Sequence, residues 1–441
     1  MLSRDTLFVH LYSWLMTRPL EGMLVADLSR VLAGPTAAVM LADLGARVVK
    51  VERPGTGDET RAWGPPWAGS SSSYFEAANR SKQSIALDFT QADDLEVARR
   101  LTDRADIVIE NYRTGALDRF GLDAASVLAR NPAAVYCSIT GFGSRGYGAA
   151  VPGYDFLVQA VGGLMSITGD PDGEPHKVGV AMVDVLAAKD AVMAILAALL
   201  QRGTSGTGQH VEVALLSSLI ASLANQAVGY LATGLAPRRL GNQHPSIAPY
   251  ETLQCRDGML AIAVGNDPQF AALGAVLGDH ELAHDPRFST NSARVEHRVE
   301  LRRRLEALLA HDDAAGWAAR MLAAGVPAGT INGIDEALAL ARRLGLDPTV
   351  SVGREHPEQL THPVRYSAFE PRPPTAPPAL DEHGDELRRW LSQVDRPSPI
   401  DGVGSTVVRP AAAARATASR ASTVAPTTAA GITKTAPPGT R

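Results

Sequence analysis

Short apolar strands alternate with helix-forming segments over the first 140 residues of this 441-residue chain. The first unit consists of the apolar run LVADL, the turn SRVLAGP, the helical segment TAAVMLADLG and the β-branched run RVVKVE. Pro35 suits the first turn of that helix and Gly45 its end, which gives a parallel crossover unit. The pattern continues with SIALD, a helix over 91–103, DIVIEN, a helix near 116–128 and AVYCSITGFG. It predicts an α/β fold with a doubly wound parallel sheet and helices on both faces.

The pattern changes in the second half of the chain. Two long helices are predicted over 184–202 and 211–233, and residues 250–265 predict a hairpin that turns at Asp257-Gly258. Shorter helices are predicted over 267–278, 293–311, 313–324 and 335–343, and in DELRRWLSQV near the end.

These changes divide the chain into four predicted parts. Residues 16–225 and 355–400 form a large Rossmann-like domain, and residues 226–354 form a smaller α+β domain. Residues 1–15 are interpreted as an extension, since Met16 opens a more orderly segment. Residues 401–441 consist almost entirely of Ala, Thr, Ser, Pro, Val and Gly without periodicity. We expect a disordered tail there, because such a segment cannot bury enough apolar area to offset the entropy of ordering.

Charge and cysteine content exclude several classes of protein. The formal net charge is −5, and residues 402–441 carry five basic residues and no acid, so the rest of the chain carries −10. This argues against a nucleic-acid or anionic-membrane partner, without excluding a small anion held by local cations. The two cysteines do not form a C-x-x-C pair, so neither a disulfide framework nor a cysteine zinc site is predicted. Without a run of 18 apolar residues or a signal-peptide pattern, we expect no transmembrane span and a cytoplasmic protein.

The turn after the first strand and the loop after the second are candidate ligand loops. Glu52 ends the second strand where a ribose-binding acid would sit, but the turn RVLAGP lacks the G-x-G-x-x-G that holds a dinucleotide pyrophosphate. The segment KVERPGTGDETRAWGPP is either a solvated loop or a ligand loop. In the second case Lys50, Arg53 and Arg61 would bind anions and Trp63 would form a flat wall. No metal-binding histidine spacing and no G-x-S-x-G occur, so neither a metal site nor a serine hydrolase is predicted.

Asp184 stands in VGVAMVDVLAAKDAVMAILAALL, a segment otherwise suited to burial. It either caps the helix that follows or is a reactive carboxylate kept away from water. The two readings are compatible, since a carboxylate at a helix N-terminus is expected to stay ionised when partly desolvated. Asp190, six residues further on, is interpreted as structural. Tyr154 and Asp155, in PGYDFLVQA, predict a turn followed by a helix cap.

Several motifs in a fixed order resemble the family III CoA-transferases, the CaiB–BaiF and formyl-CoA transferase group. They are RVLAGPTAAVMLADLGARVVKVERPGTGDETRAWGPP, NRSKQSIALD, IVIENYRTGALDRFGL, YCSITGFG, PGYDFLVQAVGGLMSITG, VGVAMVDVLA and GTGQHVEVAL. The resemblance runs from about Met16 to about residue 395. Within the family, GDETRAWGPPW, VALLSSLIASLANQ, GNQHPSIAPYETL and VGNDPQF most resemble the branch of succinate–hydroxymethylglutarate (glutarate) CoA-transferase.

The resemblance implies that Asp184 is the catalytic nucleophile. CoA would move from an acyl-CoA, with succinyl-CoA the expected donor, to a small dicarboxylic acid. The carboxylate attacks the thioester, a mixed anhydride forms, and the returning thiolate gives an aspartyl-CoA thioester from which the acid collects CoA. Water must be excluded because each anhydride would otherwise hydrolyse. CoA is then a co-substrate, no tightly bound cofactor is expected, and the family implies an interlocked homodimer.

The same resemblance implies the residues of the two subsites. The CoA contacts of the family match Val31, Ala33, Arg53, Leu87, Asn111, Tyr112 and Arg119. The acyl pocket matches Leu32, Trp63, Tyr74 and Tyr154. Arg61 or His244 is suggested to hold the distal carboxylate of the acid.

Three departures from formyl-CoA transferase and one from a racemase narrow the range of predicted activities. Formyl-CoA transferase has glutamine at the Leu32 position, a lysine near Thr90 and a run of glycines where this chain has only VGND over 264–267, which argues against formate or oxalate. The related α-methylacyl-CoA racemase has a histidine where this chain has Tyr154. Racemisation needs a proton-transfer group on each side of the α-carbon, and a tyrosine with an ordinary pKa of about 10 is a poor base. Transfer is therefore favoured, with a racemase-like isomerase and a non-catalytic CoA-binding protein as alternatives.

Overall fold

The computed structural model describes residues 18–69 and 71–393. The predicted extension over 1–15 and the predicted tail over 401–441 lie outside the described residues. The strands are β1 (Leu24–Asp27), β2 (Arg47–Glu52), β3 (Trp67–Ala68), β4 (Ser71–Ser72), β5 (Gln83–Ala86), β6 (Ile107–Glu110), β7 (Val135–Thr140), β8 (Gln209–Ala214), β9 (Tyr250–Gln254), β10 (Met259–Ala263), β11 (Ala328–Thr330), β12 (Thr349–Val350) and β13 (Gln359–Leu360). The α-helices are α1 (Ala33–Asp43), α2 (Ser73–Asn79), α3 (Ala92–Arg104), α4 (Ala124–Arg130), α5 (Asp155–Val161), α6 (Met182–Ser205), α7 (Leu215–Ser222), α8 (Ala224–Thr233), α9 (Asp267–Val276), α10 (Asn291–Glu296), α11 (Arg298–Leu309), α12 (Ala314–Ala323), α13 (Ile334–Arg343) and α14 (Gly384–Ser392).

Six parallel strands form one sheet in the order β5-β2-β1-β6-β7-β8. Strands β1, β2, β6 and β7 are buried on both faces, as the β-branched runs predict, whereas the edge strand β8 is largely exposed. Helices α1, α6 and α7 pack on one face, while α3, α4 and α14 pack on the other. The predicted α/β class and parallel sheet are confirmed. The direction of strand order reverses between β1 and β6, so the loops after these two strands diverge and leave a crevice.

The predicted helix over 211–233 is wrong in its first part. Residues Gln209–Ala214 form β8, which extends the sheet beside β7, and α7 and α8 follow it. The alternating sequence QHVEVA fits an edge strand, in which only one neighbour supplies hydrogen bonds. The predicted helix over 293–311 is divided at His297 into α10 and α11.

A separate apolar cluster lies wholly within residues 248–326. There β9 and β10 form the predicted hairpin, and β11 pairs with β10 in an antiparallel three-stranded sheet. Helices α9, α11 and α12 supply most of the remaining buried side chains. The domain boundaries near 225 and 355 stay predictions.

Arg294 is the largest fully buried side chain in the described residues. It donates to the Ala248 carbonyl at 2.7 Å, the Phe288 carbonyl at 3.0 Å and the Asp267 carboxylate at 2.8 Å. One side chain therefore joins three segments of the 248–326 cluster. We expect Arg294→Met to lower the free energy of unfolding by about 3 kcal/mol, because two carbonyl oxygens lose their donor and Asp267 loses its cation.

Urea denaturation with a constant m-value checks this prediction. Arg287 is the matched control, since it pairs with Asp285 and Glu300 at the surface. Arg287→Met is expected to cost far less stability than Arg294→Met, because ion pairs exposed to water contribute little. Equal losses in the two variants would contradict the role given to Arg294.

No single helix within residues 18–69 and 71–393 is long and apolar enough to cross a membrane. Helices α7 and α8 reach the required length and hydropathy only together, as a pair bent by 76°.

Candidate active site

A cavity of about 210 Å³ opens at the carboxyl ends of β1, β6 and β7. The turn between β1 and α1, the loop after β6 and the loop after β7 form its walls. Asp184 lies in the same cavity, near the start of α6. Eight of the side chains predicted for the site contribute to the lining: Val31, Leu32, Ala33, Trp63, Asn111, Tyr112, Tyr154 and Asp184.

Asp184 is the third residue of α6. Within the described residues, its carboxylate accepts no hydrogen bond, although the side chain is largely withdrawn from water. Burial, together with the nearby Asp155 carboxylate, raises the pKa of Asp184 to about 7. The expected fully ionised carboxylate is therefore corrected to one that exchanges a proton near neutral pH.

The cap of α6 comes from Asp155, not from Asp184. The Asp155 carboxylate accepts from the backbone N–H of Val183 at 2.7 Å and from that of Asp184 at 3.3 Å. Its other oxygen accepts from the Gln159 side-chain amide at 2.6 Å, and Gln159 in turn accepts from the Val178 N–H at 2.9 Å. The first-turn donors of α6 are thus satisfied from α5. Because Asp155 caps the helix, the Asp184 carboxylate is not needed for that role.

Three aromatic residues predicted for the acyl pocket lie around this carboxylate. The rings of Trp63 and Tyr74 meet edge to face with centroids 5.3 Å apart. Burial raises the pKa of the Tyr74 phenol to about 12, with Asp184 and Asp155 adding to the shift. Tyr74 is therefore a neutral hydroxyl beside the carboxylate pair. Tyr154 precedes α5 and is exposed, with 64% of its surface accessible.

A second cavity, of about 270 Å³, adjoins the first and contains Arg53. Arg30, Glu59 and Tyr112 line both cavities. Arg30 is paired with Glu59, and its guanidinium carbon lies 5.0 Å from the centroid of the Tyr112 ring. A long ligand that extends from Asp184 to Arg53 would pass this boundary.

The remaining predicted contact residues lie outside both cavities. Leu87 is buried, and its N–H donates to the Glu52 carbonyl at 2.9 Å. Arg119 is exposed in the 3₁₀ turn Asp118–Phe120, with its guanidinium carbon 4.5 Å from the centroid of the Phe120 ring.

The geometry gives no support to Arg61 or His244 as a carboxylate clamp within one chain. Arg61 makes a bidentate pair with the buried Glu52, both bonds at 2.8 Å, and lies over the Phe75 ring. Because Glu52 accepts hydrogen bonds from Arg61 and Ser84, its carboxylate is not free to bind a ribose. His244 lies apart from the cavity, where its ring packs against Tyr250 and accepts from the Ser246 N–H at 3.1 Å.

Lys50 also departs from its predicted role as an anion ligand. Its ammonium group is fully buried and donates to Asp58 at 2.8 Å and to the Ser29 carbonyl at 3.1 Å. Lys50 lines the second cavity, but its ammonium group links Asp58 to the turn between β1 and α1.

Asp155 and the glycine pair Gly141 and Gly153 are site features that sequence reasoning missed or read otherwise. The two glycines line the cavity, and their backbones approach so closely that a β-carbon on Gly153 would lie 2.5 Å from the Gly141 Cα. The signal was present, since each glycine stands in a motif, YCSITGFG or PGYD. No group of three or more metal-ligating side chains occurs in the described part of the chain.

The sequence model of CoA-transferase family III matches residues 20–384. The succinate–glutarate CoA-transferase of Agrobacterium fabrum is 44% identical over 393 residues, which cover 86% of this chain and 97% of that protein. The succinyl-CoA:glutarate CoA-transferase of Mus musculus is 40% identical over 381 residues, covering 86% and 87%. A crystal structure of a CaiB/BaiF family protein from Brucella suis has a TM-score of 0.78 at 44% identity, covering 85% of this chain and 100% of that one.

Proposed function

The chain belongs to CoA-transferase family III, and on that basis we propose that it transfers CoA from succinyl-CoA to glutarate through a covalent intermediate on Asp184. The relative at 40% identity is named for succinyl-CoA and glutarate, and the relative at 44% identity for succinate and glutarate. The observation that carries the assignment to Asp184 is its free carboxylate, which lies in the cavity while Asp155 caps the helix.

The proposed reaction uses the Asp184 carboxylate as a nucleophile. One oxygen attacks the thioester carbon, the C–S bond breaks, and CoA thiolate leaves a succinyl–aspartyl anhydride. The thiolate then attacks the aspartyl carbonyl and releases succinate, which leaves an aspartyl-CoA thioester. Glutarate attacks that thioester, and the same two steps in reverse order produce glutaryl-CoA and free the carboxylate. The N-terminus of α6 favours the negative charge that develops at this carbonyl.

The CoA moiety is proposed to follow the boundary between the two cavities. Val31, Ala33 and Asn111 would contact the pantetheine near Asp184, and Arg53 would meet a phosphate in the second cavity. Trp63, Tyr74 and Tyr154 would enclose the acyl group. CoA is a co-substrate in this scheme.

Isotope exchange tests the proposed function. The enzyme is mixed with succinyl-CoA and ¹³C-glutarate, and labelled glutaryl-CoA is measured by mass spectrometry. After addition of succinyl-CoA alone, intact-protein mass spectrometry should reveal a CoA-sized adduct that hydroxylamine removes. Peptide mapping should place this adduct on the peptide that contains Asp184. Deuterium uptake at the α-carbon of an acyl-CoA in heavy water, without exchange, would instead support the racemase alternative.

The rate of exchange is expected to depend on the protonation of Asp184. Because only the carboxylate attacks, kcat/KM should rise with pH through about 7, the pKa of this group, and level off above it. Replacing Asp155 with asparagine removes a like charge and should move the midpoint to lower pH. A pH–rate profile of both proteins checks this, and an unchanged midpoint in the variant would contradict it.

The contribution of Asp184 to the stability of the fold should change with pH in the opposite direction. The pKa of Asp184 is higher in the folded chain than in the unfolded chain, so the folded state binds more protons between about pH 4 and pH 7. This group therefore stabilises the fold fully below pH 4, and that contribution is lost as the pH rises through 7.

We also propose a homodimer and a cytoplasmic location. Exposed apolar side chains along and after α8, among them Val228, Leu231 and Leu235, support an interface on this face. The molar mass in solution, measured by light scattering, tests the dimer.

A further inference from the structure

The turn between β1 and α1 is held by side chains from several elements. The Ser29 N–H donates to the Asp27 carboxylate at 3.0 Å, and the Ser29 carbonyl accepts from Lys50 at 3.1 Å. The Arg30 N–H donates to the Asn111 side-chain carbonyl at 2.8 Å, and the Arg30 carbonyl accepts from the Asn111 amide at 2.7 Å. A turn with a single glycine is thus fixed by a different device from the glycine-rich turns of dinucleotide-binding proteins.

Val31 adopts a conformation that a β-branched residue rarely takes. Its φ of 70° lies in the left-handed region, where the branched Cβ crowds the backbone. Its N–H donates to both oxygens of Asp58, at 3.2 Å and 3.4 Å. The hydrogen bonds to Asp58 therefore help to hold Val31 in this unfavourable conformation.

Asp58 is itself rigidly held. It is 2% exposed, and it accepts from Lys50 at 2.8 Å and from the Thr60 N–H and hydroxyl at 3.0 Å and 2.7 Å. Although burial alone would raise it, the pKa of Asp58 stays below its ordinary value because of Lys50 and these hydrogen bonds. An ionised carboxylate is thus locked beneath the turn, with all its hydrogen bonds made to the protein.

We propose that Asp58 is a positioning residue for CoA binding, which acts through Val31. By holding Val31 in the left-handed conformation, it keeps the Val31 N–H on its own carboxylate and places Val31, Leu32 and Ala33 along the wall of the first cavity. Asp58 also lines the second cavity, but its hydrogen bonds are made to Lys50, Thr60 and Val31, so its assigned role is to hold the turn. The inference rests on the proposed CoA site.

A double-mutant cycle in the full-length chain tests the proposal, with the Kd of free CoA measured by calorimetry. Asp58→Ala should raise the Kd about tenfold, because Val31 then relaxes to an ordinary conformation. In a Val31→Gly background, where the left-handed conformation costs little, Asp58→Ala should change the Kd less than about threefold. An equal factor in both backgrounds overturns the proposal, since a general structural role predicts that result.

Two further variants keep the test decisive. Thr60→Val removes a hydrogen bond to Asp58 without touching the turn, so its Kd should stay within about twofold of the wild-type value. If Asp58→Ala does not fold, Asp58→Asn enters the same cycle with the same criterion. CoA binding does not require transfer, so a wild-type protein that binds CoA but exchanges none overturns the proposed function and leaves this inference standing.

Discussion

Replacing Asp184 with asparagine should reduce exchange between succinyl-CoA and glutarate by about four orders of magnitude. The amide has nearly the shape of the carboxylate but no nucleophilic oxygen anion. Because the Asp184 side chain makes no hydrogen bond within the described residues, the substitution should leave the fold and the Kd of CoA within a few-fold of the wild-type values. Transfer of CoA to labelled glutarate measures the loss of activity. Intact-protein mass spectrometry should show that the CoA adduct has disappeared.

Asp190 provides the matched control on the same helix. It lies outside the lining of the cavity, and Asp190→Asn should exchange CoA at a rate close to that of the wild type. A variant at Asp184 that retains a tenth of the activity, or still forms the adduct, would remove Asp184 from the chemistry.

The second large effect is expected at Gly153, where two backbone segments meet. A β-carbon there would lie 2.5 Å from the Cα and 2.8 Å from the nitrogen of Gly141, so the backbone itself must move. Gly153 immediately precedes Tyr154 and Asp155, and Asp155 caps the helix that carries Asp184. We therefore expect Gly153→Ala to lower kcat/KM about 100-fold, because small displacements of a catalytic group have effects of this size.

Gly179 is the control for this substitution, since a β-carbon there meets no atom within 4 Å. Gly179→Ala should leave kcat/KM within about twofold of the wild-type value. Thermal melting of both variants separates loss of the site from loss of the fold. If Gly153→Ala kept full activity, the close approach to Gly141 would have no part in positioning Asp155.

The parallel sheet was predictable because buried strands leave a strong record in sequence. RVVKVE was located to the residue because its three valines form a β-branched pattern, although Arg47, Lys50 and Glu52 are buried beside them. Residues 211–214 were assigned to a helix because this part of β8 belongs to an edge strand with exposed residues and runs into the apolar α7. Its pairing with β7 depends on a contact across about 70 residues of chain. Periodicity in a short window does not record such a contact.

The position of the candidate site could be predicted from the sequence, but the separate roles of Asp155 and Asp184 could not. A charged residue in an apolar segment identified Asp184, and parallel strand ends identified the crevice. The sequence alone could not separate the cap from the reactive group, because the cap comes from Asp155, 29 residues earlier. Lys50 was predicted to bind an anionic ligand because its partner could not be identified from the sequence either. Only the fold brings its carboxylate partner, Asp58, beneath the turn.

Helix α14 has a consequence for synthesis on the ribosome. Its buried Leu387, Trp390 and Leu391 cover the face formed by β5 and α3, and Arg104 donates to the Trp390 carbonyl at 2.9 Å. The strands of that face are translated some 300 residues before this cover emerges. The apolar face formed by β5 and α3 therefore stays uncovered in the nascent chain until translation is nearly finished, and it must not aggregate during that time. A chain that ended before residue 384 would leave this face uncovered, and we expect it to aggregate.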